Sequence, residues 1–367
     1  MKKRVSCGVL ALMLMTAAVP AWSQVTIVAP RVIGTAPWID ALQADIDAAI
    51  ADFEQDIDAE IGQYYDLPLL AQGLSDAGAT ATHIGTQRSF IDYQRFAVVI
   101  GAGVAASLYT TDPAIIREIT DQVEEGDLYA GAALQPIVAS FGFRPRFISD
   151  RLYANVKIGY ADVADGVIAD GVTYNALSVG LLANYRLIES RATRVGFLRW
   201  RGLSVGTGVM YQRNELSLDL DFDQVTETVQ GGGSPEFEMT VEPVITARIT
   251  SDAIVVPLEA TTGLRLLWLL DVNVGGGVDL SFGNSEITLG IESPVTLDGD
   301  TTDVEVIPGS ASVDAGTKGD GPELVRPRLT AGLGLNLGPV KIDFPLMYYF
   351  DKEGNSLMAG VNVGLVF

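Results

Sequence analysis

Seven ionisable residues fall on alternate positions of otherwise apolar stretches: Lys157, Arg186, Glu259, Arg265, Asp279, Lys341 and Asp343. Charges placed this way can line a water-filled passage and select solutes. They can also pair with one another across a filled interior, which is the commoner arrangement. The single histidine, His83, sits in a stretch rich in Ala, Gly, Thr and Ser. A hydrolase could use it with a Ser or Asp, but one unpartnered His reads as a structural hydrogen-bonding group. Asp219-x-Asp221-x-Asp223 has the opening spacing of a calcium loop, but the glycine at the sixth position and the closing Glu are absent. Residues 97–106, with Gly101 and Gly103, imitate a dinucleotide fingerprint, and Glu124 and Glu125 stand about twenty residues beyond. Thr110, Thr111, Asp112 and Pro113 interrupt before the required helix could form. The expectation is a protein without catalytic residues, cofactor or metal.

The elements carrying the charges alternate with period two, as strands with one apolar face do. Leu329, Ala331, Leu333, Leu335 and Leu337 share one face opposite Thr330, Gly332, Gly334 and Asn336. After a turn at Gly338-Pro339, Val340, Ile342, Phe344, Leu346, Tyr348 and Phe350 oppose Lys341, Asp343, Pro345, Met347 and Tyr349. A second turn over 351–355 leads to a closing strand that points Leu357, Ala359, Val361, Val363, Leu365 and Phe367 outward. The same rule fits strands near 152–160, 177–187, 254–268 and 272–282, and more weakly near 94–108, 128–143, 202–213 and 237–249. Aliphatic residues outside and small or polar residues inside are what a lipid wall around a polar lumen requires, which a soluble β-sandwich does not. These eleven candidates predict an all-β membrane protein, an antiparallel transmembrane β-barrel of about 12 strands within a range of 10–14, since single-chain bacterial barrels favour even numbers.

The first 23 residues read as a secretory leader: Lys2, Lys3 and Arg4, an apolar run over 9–19, and Ala21-Trp22-Ser23 before Gln24. Its removal would take the only cysteine, Cys7, and three bases, changing the net charge from −22 to −25. Such acidity excludes nucleic acid as a partner, because phosphate binding needs Lys and Arg. No later run reaches 18 apolar residues, so no helix is expected to cross the membrane.

Over 38–65 the period lengthens toward 3.6: Ile39, Leu42, Ile46, Ile50, Phe53, Ile57, Ile61 and Tyr64 share a stripe, and Pro37 is well placed at the start. This predicts an amphipathic helix about 42 Å long at about 1.5 Å per residue. It has no basic residue, so it is not suited to an anionic lipid surface. It could cap the periplasmic mouth, enter the lumen or pair with another chain. The division is therefore a leader (1–23), an N-terminal helical and small-residue segment acting as plug or periplasmic cap (24–92), and a barrel (93–367). The connection over 283–323 carries nine acids and one base, Lys318. It should lie outside the cell, with the short Gly338-Pro339 turn in the periplasm.

A chain ending on an alternating strand and a terminal Phe367 resembles the C-terminal assembly signal of Gram-negative outer-membrane barrels, with Leu365 where many carry an aromatic and Val363 completing the pattern. The patches 70–74 and 87–96, then Arg199-Trp200-Arg201-Gly202-Leu203-Ser204-Val205-Gly206, then 257–265 and Gly275-Gly276-Gly277-Val278-Asp279, resemble a spirochaetal family of outer-membrane proteins that includes leptospiral surface adhesins. More remotely the chain resembles long-chain fatty-acid transporters, in having a barrel preceded by an inserted N-terminal segment. The resemblance implies an outer-membrane location, surface exposure, and lipid and the barrel-assembly machinery as partners. The leading functional expectation is a pore or transporter for an unidentified solute. The alternative is a surface-exposed adhesin that binds an extracellular partner through long acidic loops. A third, passage of a hydrophobic ligand, would need an opening in the wall.

Overall fold

The computed structural model describes residues 22–61, 67–86, 95–110, 128–167, 170–193, 197–221, 225–230, 236–241, 244–299, 304–319, 321–352 and 354–367. The leader lies outside these residues except for its last two, as do Glu124, Glu125, Asp223 and the patch at 87–94. The chain begins with β1 (Trp22–Val28), β2 (Arg31–Gly34), α1 (Ile39–Ile61) and α2 (Leu67–Ala81). There follow β3 (Phe96–Thr110), β4 (Leu128–Phe143), β5 (Leu152–Val163), β6 (Val172–Ile188), the two-residue β7 (Arg191–Ala192) and β8 (Leu198–Asp221). Next come β9 (Val225–Val229), β10 (Phe237–Val241), β11 (Val244–Leu266) and β12 (Leu270–Gly299). The last elements are β13 (Val304–Ile307), β14 (Gly309–Gly319), β15 (Val325–Leu337), β16 (Val340–Phe350) and β17 (Gly354–Val366).

Ten of these strands close an antiparallel ring in the order β3, β4, β5, β6, β8, β11, β12, β15, β16, β17 and back to β3. Ten lies within the expected range but below twelve. The stretch near 237–249 is not a separate wall strand: its second half is the beginning of β11, and its first half is β10, which pairs with β9 and the tip of β12. Residues 97–106 lie within β3 and form wall, as their alternation requires.

Side-chain direction follows the alternation. Leu329, Leu333, Phe344, Leu346, Val363, Leu365 and Phe367 are each more than 40 % exposed on the outside, while Thr330, Lys341, Asp343 and Met347 are buried inside. An outward apolar side chain facing water would be unfavourable, so this wall is built for lipid. Aromatic pairs lie near both margins. Phe96 stacks on Phe367 at 4.7 Å near one end, and Tyr348 meets Phe350 edge-on at 5.0 Å near the other.

The two ends differ. At the Phe367 end the connections are short: the Gly338 turn, with φ +72°, and the turn after β11, where Leu267 and Trp268 adopt φ 49° and 57°. Trp268, expected on the strand, is therefore a turn residue. At the opposite end strands run on beyond the wall. The 283–323 connection is not an open loop: β12 continues to Gly299, β14 pairs with its edge over 285–295, and β1 pairs with β14. There β2 pairs with β13, and α1 lays Leu42, Ile46 and Ile50 on Val32, Val229, Phe237, Met239, Val295 and Leu297. The helix expected near 38–65 is described over Ile39–Ile61, with 62–65 outside the described residues, and it packs on this extension rather than on the Phe367 end.

From α1 the chain enters the barrel. The backbone of Gly73 in α2 lies against Gly131 of β4 near the extension end, and the turn after α2 reaches Asn362 lower in the wall, where Thr86 O accepts from its side chain at 3.3 Å. Arg95 and Phe96 then hydrogen-bond to Phe367 O at the far end. Residues 67–86 therefore run down the lumen from the extension end to the level of Asn362.

Candidate functional site in the barrel lumen

The lumen is organised in layers, each with buried charge. In the upper layer Arg326 donates to Asp351 through Nε and Nη2 (2.8 and 3.0 Å), and also to Asp76 O at 3.0 Å, Thr80 Oγ1 at 2.9 Å and Ser356 Oγ at 2.8 Å. Its guanidinium lies 4.5 Å from the Tyr349 ring centroid. One arginine thus joins wall strands to the plug helix, as a planar five-donor group can. Asp76 sits 3.4 Å from the same guanidinium and accepts from Glu323 N at 3.0 Å. Burial pushes its carboxyl up to about 7, Arg326 opposes the shift and Asp351 adds to it. Desolvation outweighs the guanidinium, which is itself engaged bidentately by Asp351.

In the middle layer Arg328 bridges two carboxylates, donating from Nε to Asp279 Oδ1 at 2.9 Å and from Nη2 to Glu259 Oε2 at 2.8 Å. Asp279 Oδ2 also meets His83 Nε2 at 2.6 Å and accepts from Tyr349 Oη at 2.8 Å. His83, fully buried, is thereby the plug's anchor to β12. Lys157 donates from Nζ to Thr82 O and, at 3.0 Å, to Ile84 O. These carbonyls follow the C-terminus of α2, where positive charge is favoured.

In the lower layer Asp271 takes both Nε and Nη2 of Arg265 (2.8 and 3.0 Å), a hydrogen bond from Asn336, and Arg201 at 3.4 Å. Arg186 lies over the Tyr153 ring at 4.9 Å. A cavity of about 40 Å³ remains here, bordered by Arg186, Arg201, Asn273, Thr330 and Asp343. That is room for a few waters.

Of the seven ionisable residues singled out in the sequence, Lys157, Glu259, Asp279, Lys341 and Asp343 are buried, and Arg186 and Arg265 are partly buried. They do not converge on one point: Lys157, Glu259 and Asp279 belong to the middle layer and Arg186, Arg265 and Asp343 to the lower one, and none lies in the upper layer. Arg326, Arg328, Asp76 and Arg201 were not anticipated. Counting back by twos from Thr330 reaches both Arg328 and Arg326, so the signal was present in the strand's own parity. Among the described residues no group of three or more His, Cys, Asp or Glu could hold a metal ion. Phe367, Leu365 and Val363 point outward from the last strand.

A family model described as Lsa36-like matches residues 23–367. The chain belongs to the Lsa36-like family. This agrees with the spirochaetal outer-membrane resemblance, and the closed ring makes the molecule a barrel of the outer-membrane kind. No curated protein matches the chain. Among solved structures, the translocator domain of the autotransporter NalP from Neisseria meningitidis is 12 % identical, with 89 % of this chain and 99 % of that one covered, at a TM-score of 0.30. The CymD monoaromatic hydrocarbon channel is 12 % identical over 81 % and 97 %, at 0.26. Ail, the attachment invasion locus protein of Yersinia pestis, is 9 % identical over 75 % and 99 %, at 0.22.

Proposed function

We propose that this protein is a surface-displayed binding protein of the outer membrane, whose barrel is an occluded anchor for the β-extension built on β8, β11, β12, β14 and the N-terminal segment. The observation that carries this reading is the position of α1. An ordered hydrophobic seam joins it to the tips of β10 and β12, beyond the lipid-facing wall. Short connections belong in the periplasm and long ones outside, so this module projects from the cell. The leader (1–23) exports the chain, the assembly machinery reads Val363, Leu365 and Phe367, and lipid surrounds the wall. The extracellular partner meets acidic groups, Glu236, Glu238 and Asp298 being exposed on the extension. The buried and fully bonded His83–Asp279 pair supports a structural role, and we read the protein as a non-enzyme.

Protease shaving of intact cells tests the proposal. Cleavage between β9 and β10 or between β12 and β15, together with surface labelling of an N-terminal tag, is expected. Full protection of all three would overturn it. The second reading, a gated pore or transporter, is favoured by one observation: the plug is held to the wall largely by polar contacts that can be broken and remade. In planar bilayers the chain lacking 24–92 should then conduct where the full chain is closed. Silence from both removes the pore.

A further inference from the structure

Among the described residues the wall has an incomplete seam between β4 and β5. β4 and β5 pair only from Val138↔Gly159 to Phe143↔Ala154, although β4 continues upward through 128–137 and β5 through 160–163. The bulge on β4 at Pro136–Ile137, where the register with β3 shifts, coincides with the point where pairing stops. Backbone groups left open toward lipid cost several kcal/mol each, so a barrel edge must be satisfied somehow.

Here side chains take the place of the missing strand. Tyr174 of β6 reaches across, and its hydroxyl accepts from Leu134 N at 2.9 Å and donates toward Leu134 O at 2.6 Å. It also lies 2.9 Å from Asn214 Oδ1, which accepts from Gln212 Nε2 at 2.8 Å. Gln212 gives its other N–H to Gln135 Oε1 at 2.8 Å. With both N–H groups engaged, Gln212 Oε1 has no partner, and the hydroxyl of its cross-strand neighbour Ser178 has none either; both residues are fully buried. Gly159 lies between Gln135 and Ser178 in the same row and contributes no side chain. Directly above, the inner surface is apolar: Ala161 and Ala176 pack with Tyr174, and Leu216 lies against them.

We propose that the β4–β5 seam is a lateral gate, latched by the Tyr174 hydroxyl, through which a neutral amphiphile passes between the lipid and a lumenal site. Its hydroxyl or amide head would donate to Gln212 Oε1 and meet Ser178 Oγ, with its apolar chain against Ala161, Ala176 and Leu216. The unpaired amide acceptor selects a head that donates, which a carboxylate cannot do. Opening exchanges two hydrogen bonds of Tyr174, each of modest net strength, for contacts with the ligand. This inference goes beyond the surface-binding role and does not depend on it.

The test uses the full chain in nanodiscs and a pyrene-tagged long-chain alcohol, with the matching fatty acid at a pH where it is ionised. Saturable binding of one alcohol per barrel is expected, about tenfold tighter than the carboxylate. Ser178→Ala removes no internal hydrogen bond and should weaken binding about fivefold, Gln212→Leu about tenfold. Tyr174→Phe should speed uptake about tenfold, and Val361→Ala, on the outer wall, should change nothing. Heat-modifiable mobility on gels confirms that each variant is a closed barrel. Non-saturable partitioning, or saturable binding unchanged by both Ser178→Ala and Gln212→Leu, overturns the gate.

Discussion

Arg328 is the residue on which the middle of the lumen turns. It is buried between Asp279 and Glu259, and replacing it by Met leaves two carboxylates facing one another with only His83 and Tyr349 beside the first. Breaking a buried charge set by removing one partner costs about 3–5 kcal/mol. Arg328→Met should therefore lower the temperature at which the folded gel band is lost, and Lys in its place should recover only part. Asp76 makes a second prediction. Its carboxyl titrates at about 7 in the folded chain, against about 4 for an ordinary aspartate. The docked plug thus holds the proton more tightly than the undocked one. Docking is firmest below about pH 4 and weakens as pH rises through 7, by at most about tenfold per pH unit for one proton. Protection of 71–86, taken relative to intrinsic amide exchange at each pH, should fall from pH 5 to pH 8, and Asp76→Asn should flatten that slope. Residue types and facing were legible in the sequence, because parity alone sends Lys157, Glu259 and Asp279 inward. Partnerships were not: His83 and Asp279 are 196 residues apart, and only closure of the ring brings them together.

Among elements, the strands were easier to read than the plug. A period of two persists through β15, β16 and β17 because each has lipid on one side and lumen on the other. Leu333, near the middle of β15 and 55 % exposed, faces that lipid; Leu333→Arg should cost about 2–4 kcal/mol of barrel stability, read from unfolding into denaturant. α2 gave no comparable stripe. It is enclosed by wall, and Gly73, Ala77, Gly78 and Ala81 keep it narrow rather than amphipathic. The clearest sign of the fit is Gly131, where a Cβ would stand 2.1 Å from Gly73 O. Gly131→Ala should displace the upper turns of α2 while the ring still closes. Protease access to 67–86 in folded protein checks this, and unchanged protection would show that the helix can shift aside.

For the whole molecule, the sequence carried the architecture but not the path of the chain through it. The amphipathic helix was visible as a helix. Its location was not, because its apolar stripe would suit a periplasmic cap, a lumen or a partner equally well. The deciding groups are Phe237 and Met239 of the short β10 and Val295 and Leu297 of the β12 extension with which it pairs. Ile46→Asp should release α1 from that surface and expose 39–50 to protease while leaving the gel mobility of the barrel unchanged. A simultaneous loss of barrel folding would mean that the extension and the wall form as one unit.

Closure of the ring joins β3 to β17, running from Gly354↔Tyr109 to Val366↔Ala97. The first wall strand therefore waits for β17 to be made before it has a neighbour on that side. A product lacking even its last dozen residues would present two bare edges, each a template for pairing with foreign strands. Premature stop codons near the 3′ end should accordingly yield aggregates or degradation fragments rather than smaller functional barrels.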